Sequence, residues 1–276
     1  MFRKLFIPIF ALMVCGNSPF AIAQYEHPRM PRMGYNHHER RGFRELYSDS
    51  GFALTEIFTS ECFTFEDIIL PYRKVVTGQV SERNKGALIL YLHGSSRRGD
   101  DNMRQLTEVG ILNIYNYLSK NGINATILVP QCPPHLSWGR SIDDTLKSAI
   151  KAMIDANFST VDPSRVYAFG TSMGAAGVWS LISTYSGLFA AAMPVSASPS
   201  KAIVENVLPT CIYAVIGSED TMADVEYAER FVSAIKSAGG TVVLDIEEEL
   251  DHHSTSIGSY TDIRLEWIFS KSKCVN

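Results

Sequence analysis

The chain has 276 residues, 46% of them hydrophobic and 20% charged, an ordinary balance for one large globular domain or two small ones. Its formal net charge is −4, and the absence of a basic excess argues against nucleic acid as a partner.

The first 23 residues, MFRKLFIPIFALMVCGNSPFAIA, order themselves as charged, apolar and A-x-A segments. Arg3 and Lys4 come first, then an apolar run from Leu5 to Val14, then Ala21-Ile22-Ala23. This is the order of a secretory signal peptide cleaved after Ala23, and it predicts a secreted or periplasmic protein. The run is too short to span a bilayer, so no stable membrane insertion is expected after its removal. Cys15 follows Leu-Met-Val, which lacks the small residue that a lipoprotein signal places before its cysteine. Residues 24–50 are rich in Pro, Arg, His and Gly without apolar periodicity, and read as a flexible polar leader. Its histidines, His27, His37 and His38, suit a solvated tail better than a metal site. An exported chain meets oxidising conditions, so disulfides among Cys62, Cys132, Cys211 and Cys274 are allowed. Their wide spacing shows no C-x-x-C, and no zinc site or other metal is expected.

From residue 51 to 276 the pattern is that of a single catalytic domain. FTFEDIILPYRKVV (63–76) predicts paired early strands. ALILYLHG (87–94) and ATILVPQ (125–131) are short continuous apolar runs, the mark of strands buried on both faces. RQLTEVGILNIYNYLSKNG (104–122) predicts an amphipathic helix stopping at Gly122, and IDDTLKSAIKAMIDAN (142–157) a second one with acidic residues at its start. Further strands are expected at 166–170, 190–197, 211–217 and 241–249. Helices are expected after Ser172, over 225–240 with closing glycines, and around 265–271. Alternating strands and helices imply a mostly parallel sheet covered on both faces.

In such a sheet, sites form where loops leave the carboxyl ends of strands. VYAFGTSMGAAGVW (166–179) places Ser172 between two glycines, after a strand and before a helix. The G-x-S-x-G pattern alone arises by chance in roughly one chain of this length in ten. The strand–turn–helix context is what a nucleophile elbow requires. A serine hydroxyl needs a base and an acid that orients the base, in the chain order Ser, Asp or Glu, His. The strand end AVIGSEDTM offers Asp220, with Glu219 beside it, and EELDHHSTS offers His252 and His253, one of which must be a bystander. Asp220 could instead cap the helix that follows. The Met173 amide and an amide of the loop LHGSSRRGDDN, Ser95 foremost, are the expected oxyanion donors. That loop has no G-x-x-x-x-G-K-[ST], which argues against nucleotide binding.

These stretches resemble the secreted α/β-hydrolase esterases often labelled predicted peptidases, relatives of polyhydroxybutyrate depolymerases and feruloyl esterases. The resemblance is carried by LPYRKV, YLHGSSRRGDDN, VPQCPPHLSW, VDPSRVYAFGTSMGAAGVW, VIGSED and HHSTSIGSYTDIRLEWIFSK, and covers nearly everything after residue 60. It implies an α/β-hydrolase fold and a catalytic histidine seven residues before a tyrosine, with a tryptophan further on. Tyr260 and Trp267 then favour His253. Two departures stand out: Ala175 where the family often has a second glycine, and Thr221-Met222-Ala223 where its acid loop usually carries a valine.

The expected chemistry is acyl transfer to water by Ser172, His253 and Asp220, with no cofactor. About a dozen residues, SPSKAIVENVLPT, separate the strands at 190–197 and 211–217, so no large cap domain is expected. That leaves an open site suited to a small-molecule or polymer-borne ester, acetylated or feruloylated polysaccharide foremost. Trp138 lies at the catalytic end as a pocket wall or as simple packing. The layout favours a Cys211–Cys274 disulfide and puts Cys132 in the pocket wall. A serine peptidase with the same triad and a non-catalytic binding protein on the same fold are the alternatives.

Overall fold

The computed structural model describes residues 54–139 and 142–273. The signal-peptide and leader readings, and the cysteine pairing that needs Cys274, lie outside the described residues. Eight strands form one sheet: β1 (Thr59–Phe65), β2 (Ile68–Thr77), β3 (Gly86–Leu92), β4 (Ala125–Pro130), β5 (Val161–Thr171), β6 (Ala191–Val195), β7 (Cys211–Gly217) and β8 (Val242–Glu247). Their order across the sheet is β1-β2-β4-β3-β5-β6-β7-β8. The β1–β2 and β2–β4 pairs are antiparallel, and every later pair is parallel. The predicted early strands are therefore a hairpin turning at Glu66 and Asp67.

The helices are α1 (Val109–Lys120), α2 (Asp144–Asp155), α3 (Met173–Thr184), the single turn α4 (Val204–Val207), α5 (Val225–Ser237), α6 (His252–Gly258) and α7 (Asp262–Phe269). Their ends follow local chemistry. Asp143 caps α2 by accepting from the Leu146 amide at 2.6 Å, and Asp224 caps α5 by accepting from the Tyr227 amide at 2.8 Å. Gly239 ends α5 at φ +84°, a conformation that favours glycine.

Strand β3 is buried along its whole length, and its alternate side chains feed two cores. Leu88, Leu90 and Leu92 join the core under α2, α3 and α5, with Leu146, Ile150, Val178, Trp179, Phe231 and Ile235. Ile89 and Tyr91 join the other, under α1 and α7, with Ile111, Ile114, Leu118, Leu265 and Ile268. The continuous apolar runs of the sequence are thus strands covered on both sides. Between β6 and β7 the described chain carries only α4, too little for a cap.

One predicted helix is interrupted. Residues 104–107 form a 3-10 turn, Glu108 is extended at φ −87° and ψ 131°, and α1 starts only at Val109.

Candidate active site

Ser172 sits between the end of β5 and the start of α3, with φ 54° and ψ −115°. A serine in the left-handed region is strained, and the surroundings hold it there. Its amide donates to the Val195 carbonyl at 2.8 Å, and its carbonyl accepts from the Ala176 amide at 3.1 Å. The flanking glycines are required by packing. A Cβ on Gly170 would lie 2.6 Å from the Gly174 carbonyl carbon, and one on Gly174 would lie 1.8 Å from the Leu92 carbonyl oxygen. Helix α3 therefore crosses the ends of β5 and β3 at backbone contact distance, which pushes the serine out at the turn.

Asp220 lies after β7 and His252 opens α6, after β8. The Ser172 Oγ and His252 Nε2 are 2.8 Å apart, and His252 Nδ1 lies 2.8 Å from Asp220 Oδ2 and 3.0 Å from Oδ1. An ionised carboxylate only accepts, so this contact puts the imidazole proton on Nδ1 and leaves Nε2 to accept the serine proton. Asp220 is buried, and its Oδ1 also accepts from the Met222 and Ala223 amides at 2.8 and 3.0 Å. It belongs to the site; the cap of the following helix is Asp224. Glu219 is exposed.

The histidine reading is corrected. The structure brings His252 to Ser172, whereas His253 is exposed one position further along α6. Neighbouring helical residues point about 100° apart, so only one of the pair can face the serine. Further contacts hold the His252 backbone. Its carbonyl accepts from Ser256 Oγ at 2.7 Å and from Ser196 Oγ at 3.3 Å, and Asp251 caps α6 through the Ser254 amide at 2.8 Å.

The two expected oxyanion donors, Met173 and Ser95, lie at the start of α3 and in the turn after β3. Met173 is the first residue of α3, where amides lack intrahelical acceptors. Ser95 opens a 3-10 turn after β3 and is exposed. The preceding Gly94 lies against the elbow, since a Cβ on it would stand 3.8 Å from Ser172 Cβ. His93 anchors this loop from below. Its Nδ1 bonds the Gly94 carbonyl at 2.7 Å, and its Nε2 accepts from the Cys132 amide at 2.9 Å. Burial lowers the His93 pKa to about 4, against the pull of the Gly94 carbonyl.

Trp138 does not line the site. It is fully buried, its backbone and Cβ fill the space beside Gly177, and its ring meets His93 edge-on at 5.3 Å. Its role is packing beneath the loop. Cys132 is buried too, and burial pushes its thiol up to about 12. Sequence reasoning missed His93 and Glu108 as neighbours of Gly94 in the loop beside the elbow. The first had a signal in the His-Gly pair ending a strand, while Glu108 was hidden in a stretch with helical periodicity.

The sheet order, the helices on both faces and the strained serine between β5 and α3 define the α/β-hydrolase fold. No protein-family model matches the chain, and no curated protein is similar to it in sequence. Its solved structural neighbours include esterases and other hydrolases of this fold. The chain is similar to a thermostable esterase, with a TM-score of 0.73 and 26% identity over 80% of this chain and 64% of that one. It thus spans just under two thirds of that esterase. Two others share the fold at lower identity. A feruloyl esterase module from Clostridium thermocellum gives a TM-score of 0.59 at 12% identity, covering 79% of this chain and 90% of the module. S-formylglutathione hydrolase (FrmB) from Staphylococcus aureus gives 0.57 at 14%, covering 77% and 96%.

Proposed function

We propose that this protein is an exported serine hydrolase that cleaves carboxylic esters. The observation that carries the reading is the run Ser172–His252–Asp220, with hydrogen-bond contacts of 2.8 Å at each step. In this reading Ser172 attacks the ester carbonyl while His252 Nε2 takes its proton. Asp220 holds the imidazole and stabilises the cation that forms. The Met173 and Ser95 amides receive the oxyanion, and His252 then returns its proton to the departing alcohol. Water repeats the sequence on the acyl-enzyme and releases the acid. The chemistry calls for no cofactor.

Acetyl or feruloyl esters on polysaccharide are the proposed substrates. Support comes from the short β6–β7 connection and from the feruloyl esterase module among the structural neighbours. The signal-peptide pattern of residues 1–23 supports export.

The test is hydrolysis of p-nitrophenyl acetate, methyl ferulate and a peptide panel by the wild type and Ser172→Ala. The wild type is expected to cleave the esters, and the alanine variant to lose at least about 10³-fold in kcat. Equal cleavage by both would refute the reading, and cleavage of peptides alone would move it to a peptidase.

A further inference from the structure

Glu108 is an acidic residue against the loop beside the elbow for which the proposed chemistry has no use. It is the extended residue that interrupts the predicted helix before α1. Its Oε1 accepts from the Gly94 amide at 2.9 Å, and its Oε2 accepts from the Tyr91 hydroxyl at 3.0 Å. Tyr91 Oη lies 3.0 Å from Thr171 Oγ1, which lies 2.9 Å from Tyr260 Oη. One carboxylate therefore heads a buried chain of three hydroxyls. Gly94 precedes the proposed donor Ser95, and Thr171 precedes the proposed nucleophile Ser172.

The proton order along this chain follows from its end. Tyr91 donates to Glu108, so its oxygen is left to accept from Thr171, whose own oxygen accepts from Tyr260. Tyr91 and Thr171 are then each both donor and acceptor, and Tyr260 ends the chain as a donor. Burial raises both tyrosines, so they keep their protons. Burial also raises Glu108, opposed by the Gly94 amide, the Arg97 charge and the Tyr91 hydroxyl. Helix α1 is built around the network. A Cβ on Gly110 would stand 2.6 Å from both Tyr260 Cε2 and Tyr91 Oη, so only glycine lets α1 approach so closely.

The oxyanion loop needs such an anchor. Ser95 is exposed, and the turn that holds it, Ser95–Arg97, is a single one. Gly94 is gripped at both ends: its carbonyl by His93 and its amide by Glu108.

We propose that Glu108 is a positioning residue that sets the Ser95 amide against the Ser172 elbow, through Gly94 on one side and Tyr91–Thr171 on the other. The proposal rests on reading Ser172 as the nucleophile. It separates reach from charge. Glutamine keeps an oxygen for the Gly94 amide, and its NH2 can donate to Tyr91 if the three hydroxyl protons reverse. Aspartate keeps the charge but falls short by one methylene and cannot span both partners.

The experiment compares wild type, Glu108→Gln, Glu108→Asp and Glu108→Ala in the full chain. It measures kcat and KM on p-nitrophenyl acetate and amide exchange of the 92–98 backbone. Asp and Ala variants are expected to lose about 10- to 100-fold in kcat, a share of the 10²–10³ that a whole oxyanion donor supplies, with KM within about threefold. Their Gly94 amide should exchange at least about tenfold faster. Glu108→Gln should stay within about threefold of wild type in both readouts. If Glu108→Asp is active and Glu108→Gln is not, charge rather than position is at work and the proposal fails. It fails equally if Gly94 exchange quickens while kcat holds, or if neither changes in folded variants. Should Glu108→Ala not fold, the Gln and Asp pair alone decides. A wild type that hydrolyses no ester defeats the reading of Ser172, whereas unchanged Gly94 exchange in Glu108→Asp defeats the role of Glu108.

Discussion

A methyl group on Gly174 would stand 1.8 Å from the Leu92 carbonyl oxygen and 2.9 Å from that of His93, backbone atoms that cannot turn aside. Gly174→Ala must therefore lift α3 off the end of β3, and it is expected to destabilise the fold by about 1–3 kcal/mol or more. Because the lifted helix starts at Met173, activity should fall with stability. Gly258→Ala, at a position with open space, serves as the control and should stay within about 0.5 kcal/mol in a urea titration. The same scale explains what the sequence could tell about the proposed triad. Ser172 was legible because its flanking glycines record the backbone contacts that build the turn. Asp220 was legible from its place at a strand end. The base was legible only to within a pair, since spacing to Tyr260 does not report which residue opens α6. Tyr260 bonds Thr171, so its register with the histidines is set by the buried network and not by the triad. His252→Ala is expected to lose at least about 10³-fold in kcat on p-nitrophenyl acetate, and His253→Ala to stay within a few-fold. The reverse result would restore the His253 reading.

Elements with one dominant demand could be read, and those with two could not. The strands β3 to β7 appear in the sequence as apolar runs because both of their faces are covered. The stretch 104–122 carries helical periodicity throughout, yet Glu108 leaves the helix to bond the Gly94 amide and Tyr91. A long-range polar contact overrides local periodicity there, and no local pattern records it. A comparable contact fixes α7. Arg264 bonds Asp245 through Nε and Nη2 at 3.1 and 2.5 Å, bonds Glu247 through Nη2, and reaches the Ser259 carbonyl through Nη1 at 3.1 Å. Its guanidinium also lies 5.9 Å from the centre of the Tyr213 ring. The fork ties β8 to the turn between α6 and α7, behind the helix that carries His252. The two carboxylates are about one-third exposed, so solvent screens part of the interaction. Arg264→Ala is expected to cost about 1–3 kcal/mol in chemical denaturation, below the full cost of breaking a buried pair. Lysine should recover little of it, because a single ammonium cannot serve three acceptors in fixed directions.

For the whole molecule, two groups in the loops that carry the candidate site make stability depend on acid. His93 is fully buried beneath the proposed oxyanion loop, and burial lowers its pKa to about 4, below the ordinary histidine value of about 6.5. The unfolded chain therefore binds this proton at a higher pH than the native protein does. Stability from the neutral imidazole is complete above about pH 6.5 and is lost as pH falls toward 4, a loss of about 3 kcal/mol from this one group. Asp101 extends the loss further down. Burial raises its carboxyl, but the Met103 and Arg104 amides, Gln131 and the Arg104 side chain outweigh that and hold it near 2. Its contribution is present above the ordinary aspartate pKa and disappears as pH falls toward 2. Both groups serve one structure. Gln131 donates to Asp101 at 2.8 Å and to the Arg97 carbonyl at 3.2 Å, while the adjacent Cys132 amide donates to His93. Protonating His93 puts a hydrogen on Nε2, the atom that accepts from Cys132, and so opposes the bond that joins the two loops. Urea unfolding of the described domain at pH 7, 5.5 and 4.5 should show stability dropping across this range. His93→Gln should be less stable than wild type at pH 7 yet lose less on acidification, because it carries no proton to gain. An equally steep fall in the variant would assign the acid sensitivity to other groups.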